Sequence, residues 1–238
     1  MRFMVMHKVD AQMEAGGPPP ERIIQEMGAF VQDGLKSGVF ENGAGLHRSA
    51  RRVRLEFEGG ARTVTRGPYE GKNELLASFA MIETESMDQA IDVASRIAQV
   101  AGDREIEIGP VVEPWDIGLG EKPEGVPPRF LLLRKADPAF EAGAAQPSGL
   151  RPLMDQLARD GVLQTAGTLA PSSSGARLRR TGGKRMWTDG PFTESKELVA
   201  GFSIINVPGL DDARKWTEVY AAVLGDTEVD VRVVTEVI

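Results

Sequence analysis

The sequence predicts an α+β fold made of two β-α-β-β-α-β repeats, each with an antiparallel sheet, paired within one chain around a barrel-like space. Three observations predict it. Residues 38–112 align without a gap onto 161–235 at an offset of 123 (190 − 67 for the glycines of two Gly-Pro turns), and 25 of the 75 pairs are identical. Chance from average composition gives roughly one in seventeen, so the chain is a tandem duplication. Both copies run through strand-like and helix-like periodicities in the same order. Finally, such a unit covers one sheet face with its helices and leaves the other bare, so two units bury their bare faces against each other.

The elements follow in order. Arg2-Phe3-Met4-Val5-Met6-His7-Lys8 is strand-like and recurs as Arg129-Phe130-Leu131-Leu132-Leu133-Arg134-Lys135, at an offset of 127 (129 − 2). The early loop around Gly16-Gly17-Pro18-Pro19-Pro20 therefore differs between copies. Ile23, Met27, Phe30, Val31 and Leu35 have helical spacing after Pro20-Glu21, and Gly38 stops the helix. The counterpart carries Leu150, Leu153, Met154 and Leu157 and begins near Ser148, with Pro152 in its first turn.

Val53–Phe57 alternates apolar and polar, breaks at Glu58-Gly59-Gly60-Ala61 and resumes as Arg62-Thr63-Val64-Thr65, which is a hairpin. Leu75–Ile82 and Leu198–Ile205 are nearly continuously apolar, as strands covered on both faces are. Ser86 with Gln89 forms a capping-box pattern ahead of Met87, Ala90, Ile91, Ala94, Ile97 and Ala98. Leu210, Ala213, Trp216, Val219, Tyr220 and Val223 form the matching helix, with Gly225 as an αL cap. Ile106–Val112 and Val229–Val237 are the closing strands. Residues 1–117 form the first repeat, the Gly- and Pro-rich stretch 118–128 a linker, and 129–238 the second repeat.

The composition excludes several functions. Lys plus Arg number 28 against 35 Asp plus Glu, a net charge of −7 that opposes general attraction to nucleic acid. The basic run Arg48-Ser49-Ala50-Arg51-Arg52-Val53-Arg54 reads as a solvated strand face. With no Cys there is no disulfide, thiol nucleophile or Cys-ligated metal, and a cytosolic location is expected. The N-terminus turns polar too early for a signal peptide, and no apolar run is long enough to span a bilayer. Two widely spaced His residues give no metal-ligand set, and a haem ligand would have to be His7 or His47. The Gly-rich segments lack the dinucleotide-binding order, so no cofactor is expected.

The stretch Asp189-Gly190-Pro191-Phe192-Thr193-Glu194-Ser195-Lys196-Glu197, with Leu169-Ala170-Pro171-Ser172 before it and Gly201-Phe202 after it, resembles the DGPF-domain proteins of the YCII-related superfamily. A fainter copy, Arg66-Gly67-Pro68-Tyr69-Glu70-Gly71-Lys72-Asn73-Glu74, extends the resemblance to both halves. The resemblance implies a ferredoxin-like unit that pairs as a dimeric α/β barrel. It also implies a His and an Asp in a pocket, the His near the first helix, but residues 20–37 and 148–160 contain no His. Genes of this group often accompany extracytoplasmic-function sigma factors, which suggests a regulatory partner.

Asp189 either caps its turn by accepting backbone N–H groups or presents a carboxylate at a pocket mouth as general base or cation acceptor. Arg66 takes its place in the first copy, so any site should be lopsided and centred on the second. Glu74 and Glu197 precede the apolar strands, where a carboxylate needs a partner or a function. Arg62 is the expected partner of Glu74, and Lys196 or Arg185 that of Glu197. His7 and its counterpart Arg134 either face each other across the pseudo-dimer axis, as a cationic pocket for an anion, or lie at strand ends near solvent. His47 is expected to be exposed.

Asp189 and Glu197 are thus the catalytic candidates, and His7, Arg66, Tyr69, Glu74, Arg134, Phe192 and Lys196 the ligand-binding ones. The sequence leads to a cofactor-independent protein that binds a small organic molecule between its sheets, with acid/base turnover at Asp189. The alternative is a non-catalytic regulatory or interaction module acting with a sigma factor, whose mark would be a broad exposed apolar patch. A further homo-oligomer is open, and neither nucleic acid nor membrane is an expected partner.

Overall fold

The computed structural model describes residues 1–192 and 195–237; Thr193 and Glu194 of the second-copy motif lie outside the described residues. The first copy runs β1 (Arg2–Lys8), α1 (Ala11–Ala15), α2 (Glu21–Lys36), β2 (Phe40–Leu46), β3 (Val53–Glu58), β4 (Ala61–Arg66), β5 (Leu76–Glu83), α3 (Met87–Ala101) and β6 (Glu105–Val112). The second runs β7 (Arg129–Lys135), α4 (Pro138–Glu141), α5 (Leu150–Arg159), β8 (Leu163–Leu169), β9 (Ala176–Thr181), β10 (Lys184–Asp189), β11 (Val199–Asn206), α6 (Leu210–Leu224) and β12 (Thr227–Val237). Each copy has one strand more than the periodicities predict. β2 and β8 are rich in small and polar residues, and pairing on both edges makes them strands.

Eight strands close a barrel in the order β1-β11-β2-β6-β7-β5-β8-β12, with β12 pairing back to β1. All pairings are antiparallel, and closure leaves no free edge in the ring. The hairpins β3–β4 and β9–β10 extend from β6 and β12. Their turns need two consecutive residues with positive φ, supplied by Gly59 and Gly60 (57° and 81°) and by Gly182 and Gly183 (55° and 77°).

The sequence repeat is not the packing unit. β1 of the first copy lies between β11 and β12 of the second, and β7 of the second lies between β5 and β6 of the first. One four-stranded sheet is therefore β12-β1-β11-β2 and the other β6-β7-β5-β8. The helices follow the strands, with α2 against α6 and α3 against α5.

Alternation then sorts the apolar residues into layers. Phe3 and Val5 of β1 face α2 and α6, Leu132 of β7 faces α3 and α5, and Met4, Met6, Leu131 and Leu133 fill the barrel interior with Phe79, Phe202 and Ile204. Ser86 caps α3 by accepting from the Gln89 N–H, while Gln89 returns a bond to the N–H of Glu85. Gly225 ends α6 at φ 97°, ψ −137°, which is not the expected αL geometry. No described helix is long and apolar enough to cross a membrane.

Candidate functional site

The inward face of each first strand ends in a lysine, and each lysine meets carboxylates of the other repeat. Lys135 Nζ contacts the Glu74 carboxylate and lies 3.3 Å from Glu107 Oε2. Arg52 Nη1 donates to Glu107 Oε1 and to the Val199 carbonyl, both at 2.8 Å, while Arg54 lies 3.3 Å from Glu74 and 3.2 Å from Glu105. At the equivalent place Lys8 Nζ is 3.0 Å from Asp230, which also accepts from Arg177 at 2.6 Å.

Burial pushes the Glu107 carboxyl up, but Lys135 and Arg52 outweigh it and hold it at about 2. Burial likewise acts against charge on Asp230, and Lys8 and Arg177 bring it below its ordinary value. Lys135 is pushed down by burial and raised on balance by Glu107 and Glu74. The basic run of the sequence is thus only half a solvated face: Arg48 and Arg51 are exposed, Arg52 and Arg54 are not. Arg52 and Arg54 are 1% and 2% exposed, because Arg52 meets Glu107 and Arg54 meets Glu74 and Glu105.

Both Gly-Pro turns sit on one scaffold, repeated at each end. Ser49 binds the Glu14 carboxylate through N–H and hydroxyl, and its Oγ accepts the Tyr69 N–H at 3.3 Å. Ser172 binds Glu141 at 2.9 and 2.5 Å and accepts the Phe192 N–H at 3.1 Å. A Cβ on Gly67 or Gly190 would fall 1.8 Å from the carbonyl oxygen of Ser49 or Ser172, so only glycine fits. The prolines that follow are cis. Each turn lays its aromatic ring under an arginine, Arg54 4.3 Å from the Tyr69 centroid and Arg177 4.5 Å from that of Phe192. Burial raises the Tyr69 phenol, whose buried oxygen has no partner among the described residues.

The remaining candidates scatter. Asp189 is exposed and paired with Arg214 on α6, and among the described residues no backbone N–H caps its carboxylate. Arg66 is exposed and 2.7 Å from Asp88. Glu197 and Lys196 are exposed, although the repeat partner of Glu197, Glu74, is 1% exposed. Glu74 pairs with Lys135 and Arg54 and not with Arg62, which goes to Asp92 and Ser95. Arg185 goes to Glu218. His47 is half-buried, 3.1 Å from Asp116.

His7 and Arg134 do not face each other. Both point to the helix-covered outer faces, on different sheets. His7 Nδ1 is 2.7 Å from the Tyr220 hydroxyl, and burial lowers the imidazole to about 4 despite Asp10, with Arg52 and Lys8 adding to the fall. Arg134 is gripped by Asp103 at 2.6 and 2.7 Å and reaches Ser78 Oγ at 3.0 Å and Gln146 Oε1 at 3.2 Å.

Arg134, Ser78 and Gln146 form the polar end of a cavity of about 200 Å³ beneath α3 and α5, with apolar walls that include Ile97, Leu132, Met154 and Ala166. A difference between the repeats accounts for it. α5 begins at Leu150, equivalent to residue 27 (150 − 123), six residues later than α2 at Glu21. Residues 144–149 are unwound, and Gln146, Pro147 and Ser148 line the opening. In the other half the space under the helices is taken by Tyr220, at the position of Ile97 (220 − 123), packed with Phe30 and Trp216 at 6.0 and 5.2 Å between centroids.

The interior between the sheets, where the sequence places a ligand, is occupied by the apolar core and closed by the two charge clusters. Lys8, Arg54, Lys135, Glu107 and Asp230 were legible only as coincidences of the repeat: 8 pairs with 135, 54 with 177 and 107 with 230. Ser78 and Gln146 carry no such signal.

The family model described as the YCII-related domain matches this chain twice, over residues 1–113 and 129–235. An uncharacterized protein of Rhizobium meliloti (strain 1021) is 40% identical over 53 residues, 22% of this chain and 43% of that protein.

Proposed function

This chain belongs to the YCII-related family, as a tandem of two such domains, and from that premise we propose that it binds a small, mostly apolar organic molecule in the cavity beside Arg134. The cavity of about 200 Å³ carries the reading. It is below the 300–1,000 Å³ of sites for drug-sized ligands, so the occupant is fragment-sized. Concavity, apolar walls and a few convergent polar groups at one end are the usual features of such sites. Neither Asp189 nor Glu197 lines it, and the proposal is therefore one of binding, without turnover. The regulatory alternative calls for a broad apolar face. The exposed large apolar side chains are instead spread over α2, β4, α3, the linker, β10 and α6, which favours the cavity.

The test copies the other half of the molecule. Ile97→Tyr puts the ring of Tyr220 at its repeat position and fills the cavity. A fragment library screened by ligand-observed NMR should give hits with the wild type that disappear with folded Ile97→Tyr. Hits that bind both proteins equally, or no hits at all, would sink the reading.

A further inference from the structure

Resting on that cavity, we infer that its ligand is uncharged and presents a carbonyl-type acceptor to Ser78 and Gln146, with its apolar body against Ile97, Leu132 and Met154. Hydrogen-bond accounting leads there. An arginine has five N–H donors and no acceptor. Arg134 uses Nε and Nη2 on Asp103 and both Nη1 hydrogens on Ser78 Oγ and Gln146 Oε1. Because Arg134 can only donate, Gln146 must turn its oxygen to it, which leaves the Gln146 NH₂ to donate elsewhere. Ser78 Oγ receives a hydrogen in the same way and keeps its own O–H to give. With one Nη2 hydrogen left on Arg134, the polar end of the cavity offers donors, and the molecule that completes it supplies an acceptor.

Charge decides the rest. Asp103 neutralises Arg134 with two short bonds, both side chains being 7% exposed, and at the mouth Arg151 is paired with Glu236 at 2.7 Å. An entering carboxylate would have to compete with Asp103 or lie uncompensated among apolar walls, which is costly. An uncharged ketone, amide or ester oxygen meets no such opposition. A pure hydrocarbon would fill the walls and leave three donors unpaired.

Three probes of similar shape separate the possibilities: acetophenone, ethylbenzene and benzoate, titrated into the ¹⁵N-labelled full chain and followed at the amides of Ser78, Leu132 and Ala166. Acetophenone should bind roughly tenfold more tightly than either of the others, the difference one satisfied polar end makes. Ser78→Ala should weaken acetophenone several-fold and leave ethylbenzene unchanged. Equal binding of ethylbenzene would overturn the acceptor assignment, and equal binding of benzoate the uncharged one, while the cavity reading stood. No shift with any of the three would overturn both.

Discussion

Lys8 and Asp230 form a salt bridge of 3.0 Å whose side chains are 3% and 5% exposed, and the two residues belong to opposite repeats. Lys135 and Glu107 repeat the arrangement at 3.3 Å. Each pair ties the first strand of one repeat to the last strand of the other, inside the barrel.

Removing one member of such a pair leaves the other charged and buried. Lys8→Met should therefore cost about 3–5 kcal/mol of stability, since among the described residues Asp230 would keep only Arg177. Urea unfolding followed by circular dichroism gives the value, and a loss under about 1 kcal/mol would mean that water reaches the pair.

Stability should fall with acid in two stages. His7 sits at about 4 when folded against an ordinary 6.5, so the unfolded chain binds the extra proton first. Its contribution is complete above pH 6.5 and is lost as pH falls towards 4; 2.5 pH units correspond to roughly 3 kcal/mol. Glu107, held at about 2 against 4.5, adds stability above pH 4.5 that is lost below it. The difference between wild type and His7→Gln, measured by urea unfolding from pH 7 to 4, isolates the upper stage. A difference that stays flat over that range would contradict a buried neutral imidazole.

Strand exchange dictates what separated repeats do. Residues 1–117 lack the strands that flank β1, and 118–238 lack those that flank β7. Neither piece should be a folded monomer, whereas co-expressed pieces should elute together at the mass of the whole chain in light-scattering chromatography. A monomeric piece with cooperative unfolding would refute the exchange.

Gly190→Ala places a methyl 1.8 Å from the Ser172 carbonyl. Backbone must move to admit it, a cost of about 1–3 kcal/mol by comparison with overpacked cores. Gly67→Ala should behave alike, because Ser49 closes its turn in the same way. Thermal melts of both variants that match the wild type would show that the turns have slack.

By itself the sequence determined the duplication, the four long helices α2, α3, α5 and α6, the hairpins with their paired glycines, and the barrel. All of these follow from local periodicity and from the need to cover two bare sheet faces. It did not determine which repeat supplies each strand, since β1 has the same apolar alternation whether its neighbours come from its own copy or the other. The cavity also lay beyond it. A helix six residues shorter and an Ile in place of a Tyr are small changes on the page, and they make a cavity only where α3 and α5 meet over Arg134. Arg52 and Arg54 show the same division: their charge is local, but their burial was set by Glu107, Glu74 and Glu105, brought in from distant parts of the chain.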